Sequence, residues 1–302
     1  MAPRLADQCC LIVGGTSGIG LASAFRFLEE GARVVVCGRS AETVRAAGVE
    51  FAAAGPGRAW ALQADAADPI QVERLLAQTL ELLGGRLDIL FHVAGISGRR
   101  WGDAALHECT VEGWDKVLTA NARSLFLTNQ AAVRQMLRQP IDRHGLRGTV
   151  LNMGSVLGQS PAPRYFGTFA YAASKGAIQA MTLNAAARYA PDRIRFNLLA
   201  PALIETPMAN RACGDPEILA YLSTKQPIRG GPGTPQDCAE AALYLCEPAS
   251  RFVTGAVLHV DGGWCVSEGQ IPLAQPSAFP QDRGGSSPSG PSPASAVGEE
   301  SS

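Results

Sequence analysis

Continuous apolar runs and amphipathic stretches alternate along the chain from Cys9 to about Asp261. Seven runs read as strands: CCLIVG, ARVVVCG, RAWALQA, LDILFHVAG, GTVLNMGS, IRFNLLAP and AVLHVDGG. Most lack the polar alternation of a half-exposed strand, so both faces of the sheet are expected to be covered. Helical stretches separate them: Ile19 to Glu30, Ala41 to Ala54, Ile70 to Leu83, Thr110 to Leu137, Tyr171 to Tyr189 and Pro235 to Cys246. The alternation predicts an α/β, doubly wound fold: a seven-stranded parallel sheet, helices on both faces and right-handed crossovers. Ligands then bind beyond the carboxyl ends of the strands, near the topological switch.

Composition sets the boundaries. The chain has 302 residues, 46% of them hydrophobic and 18% charged, enough for one large domain with a substantial core. Pro, Ser and Gly take over near Gln270, which divides the chain into a catalytic-sized domain at 1–268 and a disordered tail at 269–302. A formal net charge of -1 argues against a nucleic-acid binder held by phosphate contacts. No apolar stretch is long enough to span a bilayer. The start, MAPRLADQCCLIVGG, lacks the marks of a secretory leader, so a soluble, cytoplasmic protein is expected. The eight cysteines form no C-x-x-C pair and several sit in apolar runs, which reads as reduced, mostly buried thiols. No cluster has metal-ligand spacing, so no metal is expected.

Candidate chemistry begins in the turn after the first strand. Gly14, Gly18 and Gly20 follow G-x-x-x-G-x-G and open a helix, with Thr16, Ser17 and Ile19 between them. Such a turn brings backbone N–H groups and a helix N-terminus to a pyrophosphate. The second strand ends Val36-Cys37-Gly38-Arg39-Ser40, without the carboxylate that would hold a ribose 2′-hydroxyl. Arg39 can pair with a 2′-phosphate and Ser40 can add a hydrogen bond, which favours NADP(H) and leaves NAD(H) as the alternative.

Tyr171 and Lys175 share one helical face in YAASK. A phenol beside an ammonium suits a general acid/base for carbonyl and hydroxyl interconversion. Tyr221 and Lys225 repeat the spacing, but in a Pro- and Gly-punctuated stretch that reads as a mobile flap. Tyr171 instead follows the strand carrying Ser155 and leads into another buried strand.

The glycine turn, HVAG at His92 to Gly95, Asn121 in TANARS, Ser155 in NMGS, Tyr171 with Lys175, Pro201 to Thr206, and VDGG at Asp261 to Gly263 occur in one order. That set resembles the short-chain dehydrogenase/reductase family over roughly Leu5 to Trp264, and it implies a Rossmann fold. It implies a four-part catalytic site. Ser155 binds the substrate oxygen, Tyr171 exchanges its proton, Lys175 binds the nicotinamide ribose and lowers the tyrosine pKa, and Asn121 holds a water in a proton relay. It implies that Asp65 and Ala66 meet the adenine, Ala94 and Gly95 flank the adenine ribose, and Pro201, Ile204 and Thr206 belong to the cofactor site, Thr206 at the carboxamide.

Departures from the family pattern also carry expectations. Val13, His92, Val93 and Ala202 replace its usual residues at support positions, and His92 is expected to be a structural imidazole. The link from Ser155 to Tyr171 is longer than usual and is expected to narrow or cap the pocket. Ile96, Trp101, Val156, Leu157, Leu203 and Met208 are pocket candidates. Arg99, Arg100 and Arg164 can meet an anion, with solvated surface arginines as the alternative. Ala209 to Gly233 reads as a hinged lid. The resemblance implies a homotetramer, or a dimer, and a small carbonyl or alcohol substrate. Its first reading is a 3-oxoacyl-carrier-protein reductase-like enzyme. A sugar, polyol or steroid-like alcohol dehydrogenase stands second, and a cofactor-sensing binding protein is the reading from another class.

Overall fold

The computed structural model describes residues 3–269; the predicted tail lies outside the described residues beyond Gly269. Seven parallel strands form one sheet in the order β3-β2-β1-β4-β5-β6-β7. They are β1 (Cys9–Val13), β2 (Arg33–Gly38), β3 (Ala59–Gln63), β4 (Ile89–His92), β5 (Gly148–Met153), β6 (Ile194–Pro201) and β7 (Val257–Val260). The order reverses between β1 and β4, so a crevice opens above their carboxyl ends.

Both faces are covered, as the unbroken apolar runs require. Side chains alternate between two core layers: Cys10 and Ile12 of β1 face one, Cys9, Leu11 and Val13 the other. The first layer packs against α1 (Gly18–Glu29), α2 (Ala41–Ala54) and α10 (Pro235–Cys246). The second packs against α3 (Pro69–Leu83), α5 (Ser124–Arg138) and α7 (Phe169–Tyr189). Local chemistry sets the helix ends. Asp68 caps α3 with Pro69 at its first position, and Thr234 and Asp237 form a capping box on α10. No helix among the described residues is long and apolar enough to cross a membrane.

Two sequence expectations need correction. The single helix expected from Thr110 to Leu137 is α4 (Val111–Leu118), a π turn at Thr119–Arg123, and α5. The wider turn carries Asn121, whose side chain is needed elsewhere. The expected irregular flap is instead mostly helical: α8 (Asn210–Cys213) and α9 (Pro216–Lys225). Asp215 caps α9, and Ile218 and Leu222 are buried beneath it. Tyr221 and Lys225 therefore serve packing. The Tyr221 ring lies 5.0 Å from Tyr165 and 5.7 Å from Trp264, and Lys225 Nζ donates to the Ser267 carbonyl at 2.7 Å.

The long link between Ser155 and Tyr171 folds as a 3-10 turn at Val156–Gly158 and the short helix α6 (Pro163–Phe166). Phe166 packs edge-on against Trp264 at 5.8 Å, and both line the cleft. This link, α8, α9 and Trp264 share a small apolar core of their own beside the crevice.

Candidate active site

The crevice above the sheet encloses about 1690 Å³. Its floor is the turn between β1 and α1. Gly14 sits there at φ +83°, and a Cβ on it would fall 2.7 Å from the Ala94 nitrogen, so only glycine lets the two turns meet. Ser17 precedes α1 but offers it no side-chain cap, whereas Ser40, Asp68 and Thr110 cap α2, α3 and α4. The opening N–H groups of α1 thus lack a side-chain acceptor, at the positive end of the helix dipole. Thr16, Ser17, Gly18 and Ile19 line the crevice here, and Gly20 is buried behind it. This cradle fits the pyrophosphate of a dinucleotide.

The remaining wall residues fall where a dinucleotide would continue. Arg39 lines the rim, exposed, with no side-chain hydrogen bond or ion pair among the described residues. Ser40 lines it too, but its oxygen caps α2 through Thr43 N at 3.5 Å. Asp65 and Ala66 lie beside them, and Asp65 Oδ1 accepts from Ala67 N at 2.9 Å. Ala94 and Gly95 form the middle of the crevice. Pro201 at the end of β6, with Ile204 and Thr206 just beyond it, forms the next stretch of wall.

The reacting end gathers Ser155, Tyr171 and Lys175. The Ser155 hydroxyl accepts from Leu157 N at 3.2 Å and is in hydrogen-bond contact with the Tyr171 phenol. Burial raises the phenol above its ordinary pKa, and the bond to Ser155 opposes this. Lys175 is only 4% exposed and donates from Nζ to the Met153 carbonyl at 2.9 Å. Burial pulls its ammonium down to about 8. The expected lowering of the tyrosine pKa by this lysine is not what the geometry gives. Nζ is bonded to Met153 and lies 5.5 Å from the ring centroid, so desolvation of the phenol dominates.

Asn121 sits behind this group rather than on the crevice wall. Its Oδ1 accepts from Ile96 N at 2.7 Å, and its Nδ2 donates to Ile96 O at 3.1 Å and to Ser174 Oγ at 3.0 Å. The amide is spent on holding the strand-end loop against α7. Gly95 lies between the two polar groups: a Cβ there would be 3.1 Å from Asn121 Oδ1 and 3.7 Å from Lys175 Nζ.

His92, the substitution at the end of β4, is 1% exposed and bonds Thr128 Oγ1 through Nδ1 at 2.8 Å. Its other nitrogen lies 3.3 Å from Ser124 Oγ. It does not line the crevice; it ties β4 to α5. Of the predicted pocket residues, Ile96, Trp101, Val156, Leu157, Leu203 and Met208 all line the crevice. Arg164 does not; its guanidinium lies 5.2 Å from the Tyr165 ring. Sequence reading missed Asp103, which is 2% exposed and accepts from Ala170 N at 2.8 Å and Tyr171 N at 3.0 Å. It also missed Arg211 in the crevice wall. No local signal marks either, because both act on partners distant in sequence.

A family profile described as Enoyl-(Acyl carrier protein) reductase matches residues 13–265. The chain is 33% identical over 266 residues to a 2,5-dichloro-2,5-cyclohexadiene-1,4-diol dehydrogenase of Sphingobium indicum, covering 88% of this chain and 99% of that one. It is 35% identical over 260 residues to a rhamnolipid-biosynthesis 3-oxoacyl-[acyl-carrier-protein] reductase of Pseudomonas aeruginosa, covering 86% and 97%. Among solved structures, levodione reductase aligns with a TM-score of 0.76 at 29% identity, over 86% of this chain and 98% of that one. With this fold, this crevice and these relatives, the chain belongs to the short-chain dehydrogenase/reductase family, NAD(P)-using oxidoreductases that act on alcohol and carbonyl groups.

Proposed function

We propose that this protein interconverts a carbonyl and a secondary alcohol with a preference for NADP(H), using Tyr171 as general acid/base. The observation that carries this reading is the convergence of Ser155, Tyr171 and Lys175 at one end of a crevice whose other end is an anion cradle. The bound nicotinamide supplies or accepts hydride at the substrate carbon. The chain's own residues handle the proton and the charge. Tyr171, kept protonated by burial, gives its proton to the carbonyl oxygen in reduction. Ser155 donates to the same oxygen as charge develops there. Lys175, with a pKa of about 8, is charged at neutral pH yet able to pass a proton on. Asn121 has spent its side chain on Ile96 and Ser174, and so supports this relay by fixing the strand-end loop against the helix that carries Lys175.

NADP(H) preference is supported by Arg39 on the rim, which has no side-chain partner among the described residues, and by the absence of an acid at Gly38–Ser40. A 3-oxoacyl-carrier-protein reductase-like role is supported by the Pseudomonas relative's name, and an alcohol dehydrogenase role by the Sphingobium relative's. Helices α4, α5 and α7 leave Trp114, Phe126, Phe169 and Leu183 exposed, which supports a homotetramer or dimer formed through them. Eight free cysteines, five of them buried, support a reducing, cytoplasmic setting.

The test is NADPH and NADH turnover against a panel of ketones, 3-oxoacyl thioesters and keto sugars. Tyr171→Phe is expected to lower kcat by roughly 100-fold or more while cofactor affinity, read by fluorescence, stays near wild type. Full activity in Tyr171→Phe rules out the tyrosine as acid/base. Cofactor binding with no turnover across the panel in wild type moves the protein to the cofactor-sensing reading.

A further inference from the structure

We propose that Arg99 and Arg211 form a binding site for an anionic group on the substrate, so that the natural substrate is an oxo or hydroxy compound carrying a carboxylate or phosphate. This deepens the reading above, since it rests on the crevice being the carbonyl/alcohol site.

Both arginines line the same crevice as Ser155 and Tyr171. Arg99 comes from the 3-10 turn Arg99–Trp101 after β4, and Arg211 from α8. The two elements are far apart in sequence. They nevertheless converge on one atom: the Tyr165 carbonyl accepts from Arg99 Nη2 at 2.9 Å and from Arg211 Nη2 at 3.5 Å. Two cations held around a single neutral oxygen are an unbalanced arrangement. Burial, and then the Arg211 charge, hold Arg99 below its ordinary pKa.

Nearby acids restore the balance only in part. The Asp103 charge acts on Arg99 more weakly than burial and Arg211 do, and its two oxygens accept from the N–H groups of Ala170 and Tyr171 rather than pairing with a guanidinium. Asp215 uses Oδ1 to cap α9, and its Oδ2 reaches Arg211 only at 4.0 Å. Glu112 and Asp115 line the crevice from α4, but among the described residues neither is within ion-pair distance of either guanidinium. The other arginines named from the sequence are committed elsewhere, with Arg100 stacked 3.9 Å from the Trp101 ring. What remains is two forks of N–H donors at the wall of a pocket otherwise apolar around Val156, Leu203, Phe166 and Trp264. A paired guanidinium fork is the geometry that selects planar or tetrahedral oxyanions.

The test uses matched pairs on the full-length enzyme with NADPH. One pair is 5-oxohexanoate and its methyl ester; the other is 3-oxobutyryl-pantetheine with and without its 4′-phosphate. Wild type is expected to prefer the charged member of at least one pair, through KM rather than kcat. The pair that shows the preference separates a small oxo acid from a phosphopantetheine-borne substrate. In Arg99→Gln and in Arg211→Gln the charged-to-neutral ratio of kcat/KM is expected to fall by about tenfold each. Equal rates on charged and neutral members overturn the anion site and leave the reductase reading standing, as does an unchanged ratio in the double variant. If neither pair turns over, calorimetric binding of 5-oxohexanoate decides. Binding lost in the double variant supports the anion site while the reductase reading fails; no binding by wild type overturns the site.

Discussion

At the residue scale, His92 shows how a chemically tempting side chain is disarmed. Burial, with the Lys175 charge adding to it, lowers its pKa from the ordinary value to about 3. In the folded protein the ring therefore stays neutral while the unfolded chain takes up a proton below about 6.5. The unfolded state then binds more protons, so stability contributed by this residue is complete above that value. It is lost as pH falls, by about 1.4 kcal/mol per pH unit at its steepest. The His92→Asn variant is expected to lose less stability than wild type between pH 7 and pH 5 in urea titrations. A His92 imidazole resonance that titrates near 6.5 in the native protein would sink this account. The same scale separates what the sequence disclosed from what it concealed. Tyr171 and Lys175 are one helical turn apart, and Ser155 ends a strand, so local spacing was enough to nominate them. Arg99 was nominated by composition alone, and Arg211 not at all, because only the Tyr165 carbonyl brings them together.

At the scale of elements, all seven strands and the helices α1, α2, α3, α7 and α10 were legible, since buried parallel strands and amphipathic helices carry opposite patterns. The π turn was not legible, because its cause is a side chain bonded to a loop 25 residues away. Nor was the start of α7, where Thr168 provides no side-chain cap and Asp103 replaces it from a distant turn. That cap holds Tyr171 by its own main chain. Asp103→Ala is expected to leave two N–H groups unpaired at this end and to cost about 2 kcal/mol in urea unfolding. It should also lower kcat more than it raises KM, because the phenol loses its fixed position. Asp103→Asn retains one acceptor oxygen and should recover part of both effects. A variant with full kcat and reduced stability would show that the cap serves folding only.

At the scale of the whole molecule, a sheet covered on both faces leaves the cysteines of its strands and of α10 no route to water. Cys10 and Cys246 are packed in one core layer with Cys238, and Cys37 in the other. Burial pushes Cys37, Cys238 and Cys246 up to about 12, and Cys10 well above the usual thiol range. The folded protein keeps these protons while the unfolded chain releases them near 8.5. The folded state thus binds more protons in that window, and stability falls as pH rises through it. Lys175 works in the opposite sense: above about 8 it is neutral when folded but still charged when unfolded, so it adds stability with rising pH until about 10.4. With Cys9, which burial pushes up to about 11, five thiols outweigh one lysine by a net four protons, about 5 kcal/mol per pH unit at the steepest point. A domain held by roughly 5–15 kcal/mol would exhaust that margin within a few pH units. Reversible urea unfolding under reducing conditions is therefore expected to show a steep loss of stability between pH 9 and 10.5. Cys246→Ala should make the slope shallower even where it lowers stability at pH 7. A flat profile to pH 10.5 would mean that the thiols already ionise in the folded core, which is incompatible with their burial.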